Sequence, residues 1–121
     1  SYAIPAYRDY TVRAKAGEGL SLAAGAKLAV SEYFINEGSF PSNNAAAGLA
    51  TNTDITGANV LSITNTSGVI AIAFNTLDTD LTTKSLTLSP FSANGGSVEW
   101  KCKNGGGTTL EDRFTPVNCR N

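Results

Sequence analysis

Ala3-Ile4-Pro5-Ala6-Tyr7-Arg8-Asp9-Tyr10-Thr11-Val12-Arg13-Ala14-Lys15, read onward to Glu37, is the stretch that decides the fold. Its apolar residues recur at helical spacing, which predicts one helix over about residues 2–37. Ala3, Tyr7, Tyr10 and Ala14 make a stripe at offsets 0, 4, 7 and 11. Further along, Leu22, Ala26, Ala29, Val30 and Tyr33 form a face, and Leu20, Ala24, Leu28 and Ile35 fall on a different one. A helix apolar on more than one side needs either full enclosure or a second partner. We read the extra face as a subunit contact, with Ala3, Tyr7, Tyr10 and Ala14 as the candidate contact residues; a central helix enclosed by its own domain is the alternative. At 1.5 Å per residue such a helix is about 50 Å long, so its first turns are expected to project from a head of this size.

The helix carries its own punctuation. Pro5 is tolerated near a helix start and would kink a helix continuing upstream, so it is compatible with both. Gly38, followed by Ser39-Phe40-Pro41, is a stop signal. Gly17, Gly19 and Gly25 each cost up to about 1 kcal/mol against alanine inside a helix, which points to close backbone packing or to local flexibility.

With 121 residues the chain is one domain with a modest core. Nine basic and ten acidic residues give a net charge of -1, which speaks against general nucleic-acid binding. Arg8, Arg13, Lys15 and Lys27 share the helix with Asp9 and Glu18, a mixture suited to a solvated or inter-subunit face. The sequence contains no histidine, which removes the commonest general base and the commonest metal ligand. No nucleophile, base and orienting residue recur in a recognisable arrangement, so an enzyme is the least favoured class, and no cofactor or metal is expected. No apolar run has the length of a membrane span.

After the helix, residues 39–67 are rich in Ser, Asn, Thr, Ala and Gly and read as a long connection, in which residues 60–64 add at most a minor strand. Val69-Ile70-Ala71-Ile72-Ala73-Phe74 alternates with period two and is the clearest strand, with Ile70, Ile72 and Phe74 facing the helix. Residues 84–89 put Leu86 and Leu88 on one face, and Pro90 is expected to limit pairing at that strand's end. Asn94-Gly95-Gly96 marks a turn before a strand over residues 97–102, with Val98, Trp100 and Cys102 sharing a face. The expected architecture is α+β: the long helix packed through its C-terminal half on an antiparallel meander of three to four strands over residues 68–102.

Cys102 and Cys119 enclose 16 residues that include Asn104-Gly105-Gly106-Gly107. They read as a disulfide clasp, stabilising by about 3 kcal/mol in the chain-entropy model, with two buried free thiols as the other reading. Within this loop, Glu111-Asp112-Arg113-Phe114-Thr115-Pro116-Val117-Asn118 contains two candidate consecutive β-turns. Backbone groups fixed in that array suit recognition of a ligand such as a sugar; the alternative is a clasp that only fastens the C-terminal segment. Asp78 and Asp80 carry calcium-type oxygens but lack EF-hand spacing, so a polar turn is favoured. The triple glycine lacks the context of a phosphate cradle. Asn65-Thr66-Ser67 fits the glycosylation acceptor pattern, which arises often by chance in a chain of this composition.

The segment Ala3 to Lys15 quoted above closely resembles the part of type IVa major pilins that follows their polymerising, membrane-spanning segment. Trp100-Lys101-Cys102 and Phe114-Thr115-Pro116-Val117-Asn118-Cys119 are similar to the C-terminal disulfide region of the Pseudomonas-type members. The resemblance covers essentially the whole chain and implies the type IV pilin fold. It also implies a filament subunit that is extracellular once assembled and held in the inner membrane beforehand by an apolar segment upstream of Ala3. Ser1-Tyr2 departs from the family at that point and reads as a vector remnant on a shortened chain. The implied partners are other pilin subunits in a homopolymer, the pilus assembly machinery, host glycolipid sugars bound by the cysteine loop, and phage. The implied roles are adhesion and twitching motility, and DNA binding is left open. The alternative function is a minor pilin or secreted sugar-binding module acting through the cysteine loop. The loop is longer and richer in glycine than in several relatives, and Asn121 stands where some carry a glycan-bearing serine.

Overall fold

The computed structural model describes residues 3–74, 85–92 and 97–104, with the side chains of 3–10 and 103–104 outside that description. A single helix, α1, runs over the 35 residues Ala3–Glu37. Pro5 stands in its first turn, and Gly38 ends it with φ +78° while donating its N–H to the Phe34 carbonyl at 2.8 Å. Glycine reaches this left-handed conformation without a Cβ clash, so the chain turns out of the helix there.

The face of α1 that meets the sheet is a narrow seam of Val12, Ala16, Gly19, Ala23, Ala26 and Val30, all buried. Its four-three spacing tracks one line along the cylinder, and its residues are small. Small side chains bring backbone and sheet close together. A Cβ placed on Gly19 would lie 2.6 Å from Ile72 Cγ2 and 3.0 Å from Phe74 Cε1.

Four strands form the sheet in the order β1 (Val60–Thr66), β2 (Val69–Phe74), β3 (Ser85–Ser92) and β4 (Val98–Asn104), each antiparallel to the next. The alternation read from the sequence sets the inward row: Ile63 pairs with Ile72 and Ile72 with Leu86, while Ile70 pairs with Leu88 and Leu88 with Cys102. Ile63, Ile70, Ile72 and Leu86 are fully buried. Trp100 and Cys102 pack on this core, half-buried, between exposed Glu99 and Lys101.

Four differences from the sequence reading have physical causes. Residues 60–66 are a full seven-residue edge strand rather than a minor one, so the meander begins at Val60 and the connection is shorter. Ser67 and Gly68, with φ +51° and +93°, close a tight hairpin of the type I′ kind that matches strand twist. β3 continues through Pro90, which pairs with Trp100. Its pairing with β2 has already ended at Leu88, so among the described residues one side of β3 is an edge there and a missing N–H is tolerated. Finally, the sheet lies against the middle of α1, from Val12 to Val30, rather than its C-terminal half.

Of the three helix glycines, Gly19 alone is explained by packing, since a Cβ at Gly17 or Gly25 meets nothing within 4 Å. Alanine should therefore act in opposite directions along one helix. Gly25→Ala is expected to raise stability by up to about 1 kcal/mol through helix propensity. Gly19→Ala is expected to lower it by about 1–2 kcal/mol net, because overpacking outweighs the same propensity gain. Thermal melts of the two variants read the signs, and a Gly19→Ala protein melting above the parent would refute the close helix–sheet contact.

Candidate functional site

One or two residues along from the buried seam, about 100–200° round the cylinder, α1 carries a second line at three-four spacing. Ala14, Ser21, Ala24, Leu28 and Ile35 are exposed, and Gly17 and Ser31 between them are half-exposed. Leu28 is 61% and Ile35 67% exposed, so α1 is not enclosed by its own domain. Ala14 is thus placed on the uncovered side. Ala3, Tyr7 and Tyr10 continue the four-three count upstream, and their side chains lie outside the described residues. Of the face that pairs Leu20 with Ala24, Leu28 and Ile35, only Leu20 packs on the core, because it sits nearest the seam.

The second surface is the connection from α1 to β1, held by side-chain amides. Phe34 and Phe40 stack across the helix end with ring centroids 4.5 Å apart, and Gly68 fits against Phe40. Asn44 is 7% exposed and bridges the free edge of β1. Its Nδ2 donates to the Ile63 and Ala50 carbonyls, each at 3.0 Å, and its Oδ1 accepts the Asn65 N–H at 2.6 Å. One amide side chain thus replaces a neighbouring strand, which satisfies the edge and blocks further pairing there. Asn65, 2% exposed, donates Nδ2 to the Pro41 and Asn43 carbonyls at 3.2 and 2.9 Å, and its Oδ1 accepts the Gly68 N–H at 2.8 Å. Its amide nitrogen is buried and bonded, so the Asn65-Thr66-Ser67 triplet is a structural element and not an accessible glycan acceptor.

Glu18 ties the far end of the connection to the helix. Its Oε1 accepts the Asn59 N–H at 3.1 Å and its Oε2 accepts Asn59 Nδ2 at 2.8 Å. Gly57 lies beside it, where a Cβ would strike Glu18 Oε1 and come within 2.9 Å of Leu22 Cδ1. Sequence reasoning gave Asn44 no role, read Glu18 as part of a solvated or inter-subunit face and weighed Asn65 only as a chance glycosylation match, whereas the structure gives all three fixed partners. The available signal was Asn65 itself, an asparagine inside the strand-like run 60–66, where its type is disfavoured unless the side chain has fixed partners.

Cys102, on the inner face of β4, is disulfide-bonded. Cys119 and the recognition candidates Glu111, Asp112, Arg113, Phe114, Thr115, Pro116, Val117 and Asn118 lie outside the described residues, as do Asp78, Asp80 and the triple glycine. Among the described residues no cluster of three metal-ligating side chains occurs, and no described helix is long and apolar enough to cross a membrane.

The family model for pilins, proteins of bacterial filaments, matches residues 12–120. A fimbrial protein of Neisseria meningitidis serogroup A is 41% identical over 117 residues, covering 91% of this chain and 68% of its own. Fimbrial protein EcpC of Eikenella corrodens is 36% identical over 122 residues, with coverage of 98% and 77%. The type IV major pilin protein PilE of Neisseria gonorrhoeae is 38% identical over 101 residues, with coverage of 83% and 60%. The chain therefore spans roughly three fifths to three quarters of the length of these relatives.

Because Asn44 serves as both donor and acceptor to three buried or half-buried backbone groups, no single substitution retains its contacts. Asn44→Ala is expected to cost about 2 kcal/mol or more. Asn44→Asp should cost at least as much, since it turns a carboxylate oxygen toward two carbonyls. Denaturant unfolding measures both, and a loss below about 0.5 kcal/mol in either variant would contradict the edge-bridging role.

Proposed function

The chain belongs to the pilin family of bacterial filament proteins, a structural rather than enzymatic family, and on that premise we propose that it is the structural subunit of a type IV pilus, polymerising through α1. The observation that carries this reading is the pair of opposed lines on one helix. The seam Val12 to Val30 is satisfied by the chain's own sheet, while Leu28 and Ile35 stand 61% and 67% exposed on the other side with Ser31 and Glu32 between them and small residues above them. Small side chains permit close approach of a second helix, and two large ones supply apolar area that water disfavours. The line of candidate contacts Ala3, Tyr7, Tyr10 and Ala14 runs into this ridge without a change of register. Other copies of the chain are thus the main partners, the assembled filament is extracellular, and the assembly machinery acts on the subunit beforehand.

A second role, sugar recognition by residues 111–118 as in the Pseudomonas-type members, is supported by the disulfide at Cys102, which we assign to pairing with Cys119. Closing that loop fixes the backbone groups between the cysteines. Phage adsorption would use the same segment.

The polymerisation reading is tested with the native gene in a bacterium lacking its own pilin. Leu28→Asp combined with Ile35→Asp should abolish surface filaments in electron micrographs. The soluble domain carrying both should keep its stability within about 0.5 kcal/mol per site, since exposed positions rarely matter more. Normal piliation by the double variant would overturn the proposed contact. The disulfide is tested by thiol titration: the oxidised protein should show no reactive thiol and the reduced, unfolded protein two, and any free thiol before reduction would refute the pairing.

A further inference from the structure

Between the connection and the edge of β1 lies an open cleft of about 340 Å³, lined by Asn43, Asn44, Thr51, Asn52, Thr64 and Asn65, with Ala45 as the one remaining side chain. We propose that this cleft is a binding site for a neutral, polyhydroxylated ligand, a saccharide of one or two rings, distinct from the cysteine loop.

The argument starts from what lines the cleft. No ionisable side chain is among the lining residues. A phosphate, a carboxylate or a cation would be partly desolvated there with no opposite charge to offset the cost. No aromatic or large aliphatic side chain is present either, so no single large apolar group has a matching surface. What the lining exposes is mostly carbon, from Ala45, the threonine methyls and the asparagine stems, with a smaller share of neutral amides and hydroxyls. A pyranose ring has the same mixture, with C–H faces and a rim of hydroxyls. The volume sits at the small end of the range of roughly 300–1,000 Å³ typical of ligand sites.

The polar groups are also held in place. Asn44 and Asn65 are fixed by the bonds that bridge β1 to the connection. Asn52 Nδ2 donates to Thr64 Oγ1 at 3.0 Å, which orients the Asn52 carbonyl oxygen the other way and leaves the Thr64 hydroxyl its own proton to donate. An acceptor and a donor side by side match two neighbouring hydroxyls of a sugar. Thr51 precedes the short 3₁₀ turn Asn52–Asp54 without capping it through its side chain. The Oδ1 of Asn43 takes the Ala46 N–H at 2.8 Å, so its amide nitrogen is the end available to a ligand. Among the described residues no buried side-chain nitrogen or oxygen lacks a partner. Asn44 and Asn65 spend both Nδ2 protons in the bonds above and are nearly enclosed, so the groups open to a ligand are those of Asn43, Thr51, Asn52 and Thr64. Such pre-set groups lose little freedom on binding.

Backbone amide shift mapping on the monomeric domain tests this, with the methyl glycosides of glucose, galactose and N-acetylglucosamine as probes. At least one probe should give saturable shifts centred on residues 43–45, 51–52 and 64–65. Asn52→Ala and Thr51→Val should each weaken that binding about fivefold, the effect of losing one hydrogen bond of about 1 kcal/mol. Thr51→Val is the control for folding, because its hydroxyl makes no cap bond. Reduction of the disulfide should leave the cleft shifts in place, which separates this site from the cysteine loop. The proposal is overturned if none of the three probes shifts these amides, if binding survives both substitutions unchanged, or if the same amides shift with protein concentration alone, since a second copy would then be the occupant.

Discussion

The contact on which the molecule depends is the close approach of α1 to the middle of its sheet, where Gly19 lies directly over Ile72 and Phe74. A seam of Val, Ala and Gly offers little apolar area of its own, so the sheet supplies the large side chains. Dispersion and burial reward that arrangement only if the backbones are near enough for Ile63, Ile70, Ile72 and Leu86 to be fully enclosed. Gly19 sets that distance. Once the seam and its flanks are satisfied within the domain, the arc that carries Ala14, Ser21, Ala24, Leu28 and Ile35 is left for other uses.

That leftover surface gives the fold its functional asymmetry. Val12 to Val30 belong to the domain, whereas Ala14, Ser21, Ala24, Leu28 and Ile35 belong to nothing within it. A helix serving two neighbours at once must repeat its pattern on two sides, and apolar residues on opposite sides cancel as a one-sided amphipathic signal. The same economy of partners appears at β1. Its free edge would be a template for pairing with another chain. Asn44 covers it with a single amide, and Asn65 fastens the hairpin turn and the connection together. In the assembly through α1 proposed above, an edge closed to strand pairing removes a competing mode of association.

Much of this was legible in the chain. The helix ended where Gly38 and Pro41 predicted, because backbone conformation there is a local steric matter. Ile70, Ile72, Phe74, Leu86 and Leu88 alternate in sequence and are buried in the structure, since a strand allows only two faces. Val12, Ala16 and Ala23 escaped notice as core residues, because alanine is at home on either side of a helix and its burial is decided by what lies opposite. The extent of β1 was hidden for a related reason. Val60-Leu61-Ser62-Ile63-Thr64-Asn65-Thr66 has a bulge at its start, between Val60 and Ser62, which breaks the alternation and leaves Leu61 exposed.

What the sequence determined by itself was therefore the set of elements, their order, and the existence of a helix with more apolar surface than one small domain can cover. These follow from short-range rules: steric limits on glycine and proline, and the two periodicities of helix and strand. Tertiary structure alone decided which line of that helix faces inward, why Gly19 differs from Gly17 and Gly25, and which asparagines close the sheet edge. Those outcomes depend on residues far apart in the chain, as between Gly19 and Phe74, and the tie between Glu18 and Asn59 is of the same kind. Contacts at that separation leave no periodic trace in the chain, because they are fixed only when two surfaces meet.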